Sequence, residues 1–175
     1  LNSHLGNWWY GRACLWLRGY GLVGVANRVE IIVVERLLDR LRERFGIRTL
    51  HVATGGSKAA AEVLRDNGIF SVYFDVAMPL RWKHSFWYPL GKASIHADIG
   101  PARLALKHDA AVLLMTSVRT DSGAYRVTIT PVPIPDTVEA EALHAFWLER
   151  LNRLILEHPE QWWNWGAVWL RKGSR

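Results

Sequence analysis

Two residues carry the chemistry that the types and spacing in this chain make available. His4 stands in Ser3-His4-Leu5-Gly6-Asn7-Trp8-Trp9, just ahead of a glycine and of what reads as a helix start. An imidazole in that place lies at the end of a sheet rather than inside a core. With an unperturbed pKa near ~6.5, it can take a hydroxyl proton at neutral pH. Such a base works best when a carboxylate fixes its tautomer. Asp75 closes the apolar run Ile69-Phe70-Ser71-Val72-Tyr73-Phe74 and is the natural partner by position. The plainer alternatives are an incidental histidine at a helix start and an aspartate that caps a turn. Pattern alone favours those plainer roles.

The elements that must place these residues follow from hydrophobic periodicity and from glycine and proline punctuation. Residues 7–18 read as a helix that is apolar and aromatic on most sides, ended by Gly19 and Gly21, and residues 21–26 as a short buried strand. Residues 30–45 read as an amphipathic helix. Its Ile31, Val34, Leu38, Leu41 and Phe45 should face the core, and its charged run of Glu35, Arg36, Asp39, Arg40, Glu43 and Arg44 should face water. A strand at 48–52 and a helix at 57–67 follow, then a buried strand at 69–75 that ends on Asp75. Residues 78–96, with Pro79, Pro89 and Gly91, read as a loop mixing basic and aromatic side chains. A helix at 100–107, a buried strand at 110–118 and a half-exposed strand at 124–130 come next. The turn Asp121-Ser122-Gly123 predicts an antiparallel hairpin at a sheet edge. Asp136-Thr137-Val138-Glu139 resembles a capping box for a helix running to about residue 157.

Alternating strands and helices predict an α/β fold, a mainly parallel sheet flanked by helices, in a single domain over residues 1–175. Ligands in such sheets bind beyond the carboxyl ends of strands, where His4 and Asp75 both fall. The chain starts at Leu1-Asn2 without an initiator methionine. The residues ahead of His4 look too few for a strand, so the expectation is a fragment lacking its N-terminal part.

Composition narrows the partners. The formal charge of +6 favours anionic ones. Tryptophan, of which the chain has 10, prefers places with one apolar and one wet side, as at membrane surfaces. Trp162, Trp165 and Trp169 are spaced to share one helix face, either at a lipid surface beside Arg171, Lys172 and Arg175 or closing the core. Nucleic acid is not expected, because the basic residues are scattered and no recognition motif appears. Arg28, after the second strand, and Arg81, in the basic aromatic loop, are placed to meet an anionic ligand; the plainer reading of each is a surface arginine. Cys14 is a lone cysteine and the histidines lack ligand spacing, so no metal site is expected. Gly55-Gly56-Ser57-Lys58 falls short of a full phosphate loop, and no nucleophile elbow or dinucleotide fingerprint is present. No apolar run reaches the roughly 18–20 residues that span a bilayer.

With these residues in view, a family resemblance emerges. His4-Leu5-Gly6-Asn7-Trp8 is similar to the H-x-G-N-W portion of the bacterial lipid A biosynthesis (lauroyl/myristoyl) acyltransferases, whose relatives acylate mannosylated phosphatidylinositol. The likeness continues through Leu37-Leu38-Asp39-Arg40-Leu41-Arg42-Glu43-Arg44-Phe45-Gly46-Ile47, through Asp75 at the family's strand-end aspartate, and through Phe86-Trp87-Tyr88-Pro89-Leu90-Gly91 and Gly100-Pro101-Ala102-Arg103-Leu104-Ala105. It closes on Asn152 and Pro159-Glu160-Gln161-Trp162.

The resemblance implies a glycerolipid-acyltransferase-like fold and the transfer of a fatty acyl chain. The donor would be a thioester on acyl carrier protein or coenzyme A, a substrate rather than a cofactor; no cofactor is expected. The acceptor would be a hydroxyl of a membrane glycolipid or phospholipid, at the cytoplasmic face of the bacterial inner membrane, with the protein peripheral or anchored through its missing segment. His4 would be the general base, and Asn7, Arg28 and Arg81 would bind substrate. The following helix start would steady negative charge on the tetrahedral intermediate. Trp9 departs from the family, which carries an acid there in H-x-x-x-x-D/E. Asn164-Trp165-Gly166-Ala167 also replaces the usual histidine–arginine segment. Either Asp75 serves His4 instead, or the chain is a non-catalytic lipid-binding relative.

Overall fold

The computed structural model describes residues 1–26, 30–51, 56–77, 84–136 and 138–169. In chain order the elements are β1 (Asn2–Gly6), α1 (Trp8–Leu17), β2 (Leu22–Ala26), α2 (Ile32–Arg44), β3 (Ile47–His51), α3 (Gly56–Arg65), β4 (Ile69–Ser71), β5 (Ser85–Leu90), β6 (Ala93–Asp98), α4 (Gly100–Lys107), β7 (Leu113–Arg119), β8 (Tyr125–Pro131) and α5 (Ala140–Glu157). Two 3₁₀ turns, Pro159–Gln161 and Trp163–Ala167, lead to β9 (Val168–Trp169). The class is α/β, as the alternation of elements predicts. The chain forms two compact units, one of Leu1–Trp8 with Tyr73–Arg175, the other of Trp9–Val72.

The first unit is built on β1. The residues ahead of His4 do form a strand, contrary to the expectation from their number. Short as it is, β1 is secured by pairing rather than by length. It runs parallel to β7, Asn2 bridges Tyr73, and Leu5 bridges Trp162. The Phe74 N–H donates to the Asn2 carbonyl at 3.2 Å. β8 closes the same sheet as an antiparallel partner of β7, giving the edge hairpin that the Asp-Ser-Gly turn predicts. The core beneath holds Leu5, Phe74, Leu114 and Trp162. α5 contributes Leu143, Trp147, Leu151 and Ile155, a four-residue repeat that keeps one face of the helix inward.

Two sequence expectations in this unit give way. The proline-bearing stretch expected as a loop contains an antiparallel hairpin, β5 with β6, extended by β9. Pro89 is compatible with a strand because β5 lies at the edge of its sheet, where a missing N–H costs no ladder bond. The tryptophan tail is not a helix. It is two 3₁₀ turns and a strand: Trp162 is buried and closes the core, one of the two readings of the tail, and the exposed Trp165 meets its ring edge-on at 5.0 Å while its indole N–H donates to the Pro159 carbonyl at 2.9 Å.

In the second unit β2 lies between β3 and β4, all parallel. The apolar run ending at Asp75 is shared between units: Ile69–Ser71 pairs with β2, and Tyr73 pairs with Asn2 in the other unit. α2 keeps only part of its predicted orientation: Leu38 and Phe45 are half-buried and Arg36, Arg40, Glu43 and Arg44 exposed as expected, but the rest of the inward face differs. Its buried residues are Glu35 and Arg42, while Ile31, Val34 and Leu41 are exposed. Arg42 Nη1 lies 3.2 Å from Glu35 Oε1 and 2.7 Å from Asp39 Oδ1, and this mutual pairing lets a charged face be covered.

His144 on α5 is wholly buried among the rings of Phe74, Tyr88 and Trp147, with Nε2 3.0 Å from the Phe74 carbonyl. Burial lowers its pKa to about 4. An unfolded histidine gains a proton near ~6.5, so His144 favours the folded state fully above that pH and loses its contribution as pH falls towards 4. The loss amounts to about 3 kcal/mol, as expected for a shift of this size. Urea unfolding across this range should show the decline, and a His144→Phe variant should flatten it. A wild-type stability that stays level from pH 6.5 to 4 contradicts this assignment.

Candidate active site

β1 presents His4 by strand alternation. Leu5 points into the core, and its neighbour His4 points the other way with its side chain 19% exposed. Gly6 then takes a φ of +67°, and a Cβ there would overlap the Ser117 carbonyl oxygen, so only glycine allows this crossing. The close approach is used at once: the Asn7 N–H donates to that carbonyl at 2.9 Å, and α1 starts at Trp8. The glycine and asparagine of the motif thus set the strand-to-helix turn through the backbone.

Asp75 follows the Tyr73 bridge and is completely buried. Its Oδ1 lies 2.9 Å from His4 Nδ1, and its Oδ2 accepts the His4 backbone N–H at 2.8 Å. The Trp162 indole N–H also donates to Oδ2, at 3.0 Å. A buried carboxylate needs such donors, and hydrogen bonds to a charged acceptor are the strong ones. A carboxylate facing these groups acts as an acceptor, and Nδ1 is the ring nitrogen of His4 turned to it. Rings fix the imidazole plane. Tyr73 stacks on it at 4.5 Å between centroids, and Trp8 meets it edge-on at 5.4 Å.

The closing Pro159-Glu160-Gln161-Trp162 segment braces this arrangement. Gln161 Oε1 accepts the Arg119 N–H at 2.7 Å and its Nε2 donates to the Arg119 carbonyl at 3.0 Å, docking the segment on the end of β7. Asn164 Nδ2 donates to the Asp75 carbonyl at 2.9 Å. Sequence reasoning missed the link from Trp162 to Asp75. The available signal was chemical: a buried indole N–H generally has a hydrogen-bond partner.

Of the predicted site residues, the structure brings His4 and Asp75 into direct contact and puts Asn7 directly between β1 and α1. Arg28 and Arg81 lie outside the described residues. Trp9, where the resemblance implies an acid, is in the first turn of α1. Among the described residues no cluster of three or more histidine, cysteine or acidic side chains could hold a metal ion. A groove of about 430 Å³ lined by Asp39, Glu43, Gly46, Ile47, Arg48 and Thr49 belongs to the other unit and contains none of the site residues.

An imidazole oriented by a buried carboxylate on an α/β scaffold is an arrangement suited to activating a hydroxyl. A family model described as bacterial lipid A biosynthesis acyltransferase matches residues 1–172, and the chain belongs to that family. It is an acyltransferase. No individual curated protein gives a significant match.

Trp162→Phe removes the indole N–H and keeps an aromatic ring. It should lower stability by about 1–3 kcal/mol, the usual effect of depriving a buried polar group of its partner. Acyl transfer should fall by about tenfold through looser placement of Asp75. Urea titration and rate measurement check the two parts, and a variant matching wild type in both removes Trp162 from the bracing of the site.

Proposed function

We propose that the chain moves a fatty acyl group from a thioester, on acyl carrier protein or coenzyme A, to a hydroxyl of a membrane glycolipid or phospholipid. The observation that carries this reading is the 2.9 Å contact between His4 Nδ1 and Asp75 Oδ1. Nε2 of His4 takes the proton as the acceptor hydroxyl oxygen attacks the thioester carbonyl. Collapse of the tetrahedral intermediate breaks the carbon–sulfur bond, and the imidazolium returns its proton to the departing thiolate. Asp75 stabilises the imidazolium between the two steps. The thioester is a substrate and no cofactor takes part. The helix start at Trp8, four residues after His4, supplies partial positive charge for the oxyanion.

Asn7, Arg28 and Arg81 are assigned to substrate, the two arginines to acceptor phosphate. The reaction takes place at the cytoplasmic face of the bacterial inner membrane. In this reading Asp75 serves in place of the family's usual acid at the Trp9 position.

Acyl transfer measured with a thioester donor and a lipid acceptor tests the assignment. His4→Ala should lower the rate by about 10²–10⁴-fold, the range for loss of a general base. Asp75→Asn preserves shape but misdirects the ring, and should cost up to about 10⁴-fold. A wild type with turnover that His4→Ala leaves unchanged rules out His4 as the base. A wild type that binds lipid but turns over none of the thioester donors identifies a non-catalytic relative.

A further inference from the structure

α2 leaves more apolar surface outside than a helix that serves only its own core. Its buried residues are the ion-paired Glu35 and Arg42, with Leu38 and Phe45 half-buried, and its outward face carries an apolar stripe beside charged residues. Val33 is 71% exposed, Ile32 63% and Leu37 58%, and Leu41 continues the stripe at four-residue spacing from Val33 and Leu37. Arg36, Arg40 and Arg44, also four residues apart and all exposed, run beside that stripe. Glu43 is exposed among them, whereas Glu35 and Asp39 are engaged with Arg42. The apolar surface is extended at the end of the helix. Trp16, 42% exposed, meets Phe45 edge-on at 6.5 Å, and Leu17 and Tyr20 beside it in sequence are exposed as well.

We infer that the outward face of α2, with Trp16 at its end, is a docking surface for an anionic bilayer. Charge and polarity together select this partner. A helix lying in a membrane interface sinks an apolar stripe below the headgroups and keeps basic residues at the level of the phosphates. Arginine suits that border, since its aliphatic stem covers apolar surface while its guanidinium pairs with phosphate oxygens. Tryptophan and tyrosine favour the same boundary depth. The choice of a lipid surface over other apolar partners rests on the lipid-directed reading above; the face itself does not depend on His4 or Asp75.

The full chain should be tested by co-sedimentation with phosphatidylethanolamine–phosphatidylglycerol vesicles and with phosphatidylcholine vesicles. A Val33→Asp/Leu37→Asp variant should bind the anionic vesicles at least about tenfold more weakly. An Arg36→Gln/Arg40→Gln/Arg44→Gln variant should lose roughly fivefold per arginine on anionic vesicles, with little change on phosphatidylcholine. Both variants should retain the wild-type circular dichroism spectrum, and the arginine variant keeps the apolar stripe intact as a check on folding. Wild-type partitioning in either folded variant overturns the inference. So does a change in sedimentation velocity that reports loss of a dimer while vesicle binding persists. Vesicle binding that depends on α2 in a protein without acyl transfer would support the docking surface while the chemistry of His4 fails, so the two readings stand or fall separately.

Discussion

A fully buried carboxylate is the constraint on which the candidate site depends. Asp75 sits where water cannot solvate it, so its charge must be met by protein donors. Those donors come from two directions. β1 brings the backbone and ring of His4, and the closing segment brings the indole of Trp162. Each partner gains a fixed position from the same group. The imidazole acquires an orientation, the indole N–H a buried acceptor, and the strand an extra bond beyond its ladder. Removing the carboxylate would release all three together, so stability and chemistry are coupled here more tightly than in a site built on a loop.

The same economy appears in β1. Five residues carry a strand pairing to β7, a bridge to Tyr73, a bridge to Trp162 and the imidazole that meets Asp75. Gly6 lets the strand pass close over Ser117 and turn into α1 within two residues. The motif around His4 is therefore mostly architecture. Leu5 anchors it in the core, Gly6 and Asn7 turn it, and Trp8 and Tyr73 hold the plane of a ring whose Nδ1 meets Asp75.

Much of this was legible in the residues. The α/β class follows from alternating periodicities, the β7–β8 hairpin from its turn, and the pairing of His4 with Asp75 from two polar residues at strand ends. Other features were not legible, for identifiable reasons. β1 is too short to show a period and exists because its neighbours complete it. β5 carries a proline that local rules read as a breaker, and only its edge position makes it harmless. α2 has a regular apolar stripe, but periodicity places the covered face only roughly, and Glu35 and Arg42 take positions on it that the apolar pattern assigns elsewhere. The ion pairs of Arg42 decide that, and they depend on packing. The bond from Trp162 to Asp75 joins residues 87 positions apart, beyond the reach of spacing rules.

The central claim is that Asp75 takes over the orienting role that Trp9 cannot perform. Nitrogen NMR of the protein labelled in its histidine rings, with His4 assigned by its loss in His4→Ala, tests it most directly in the neutral imidazole. The account predicts a His4 ring protonated at Nδ1 with a bare Nε2, and a shift away from that tautomer in Asp75→Asn. A ring protonated at Nε2, or one whose tautomer is unchanged in Asp75→Asn, would contradict it.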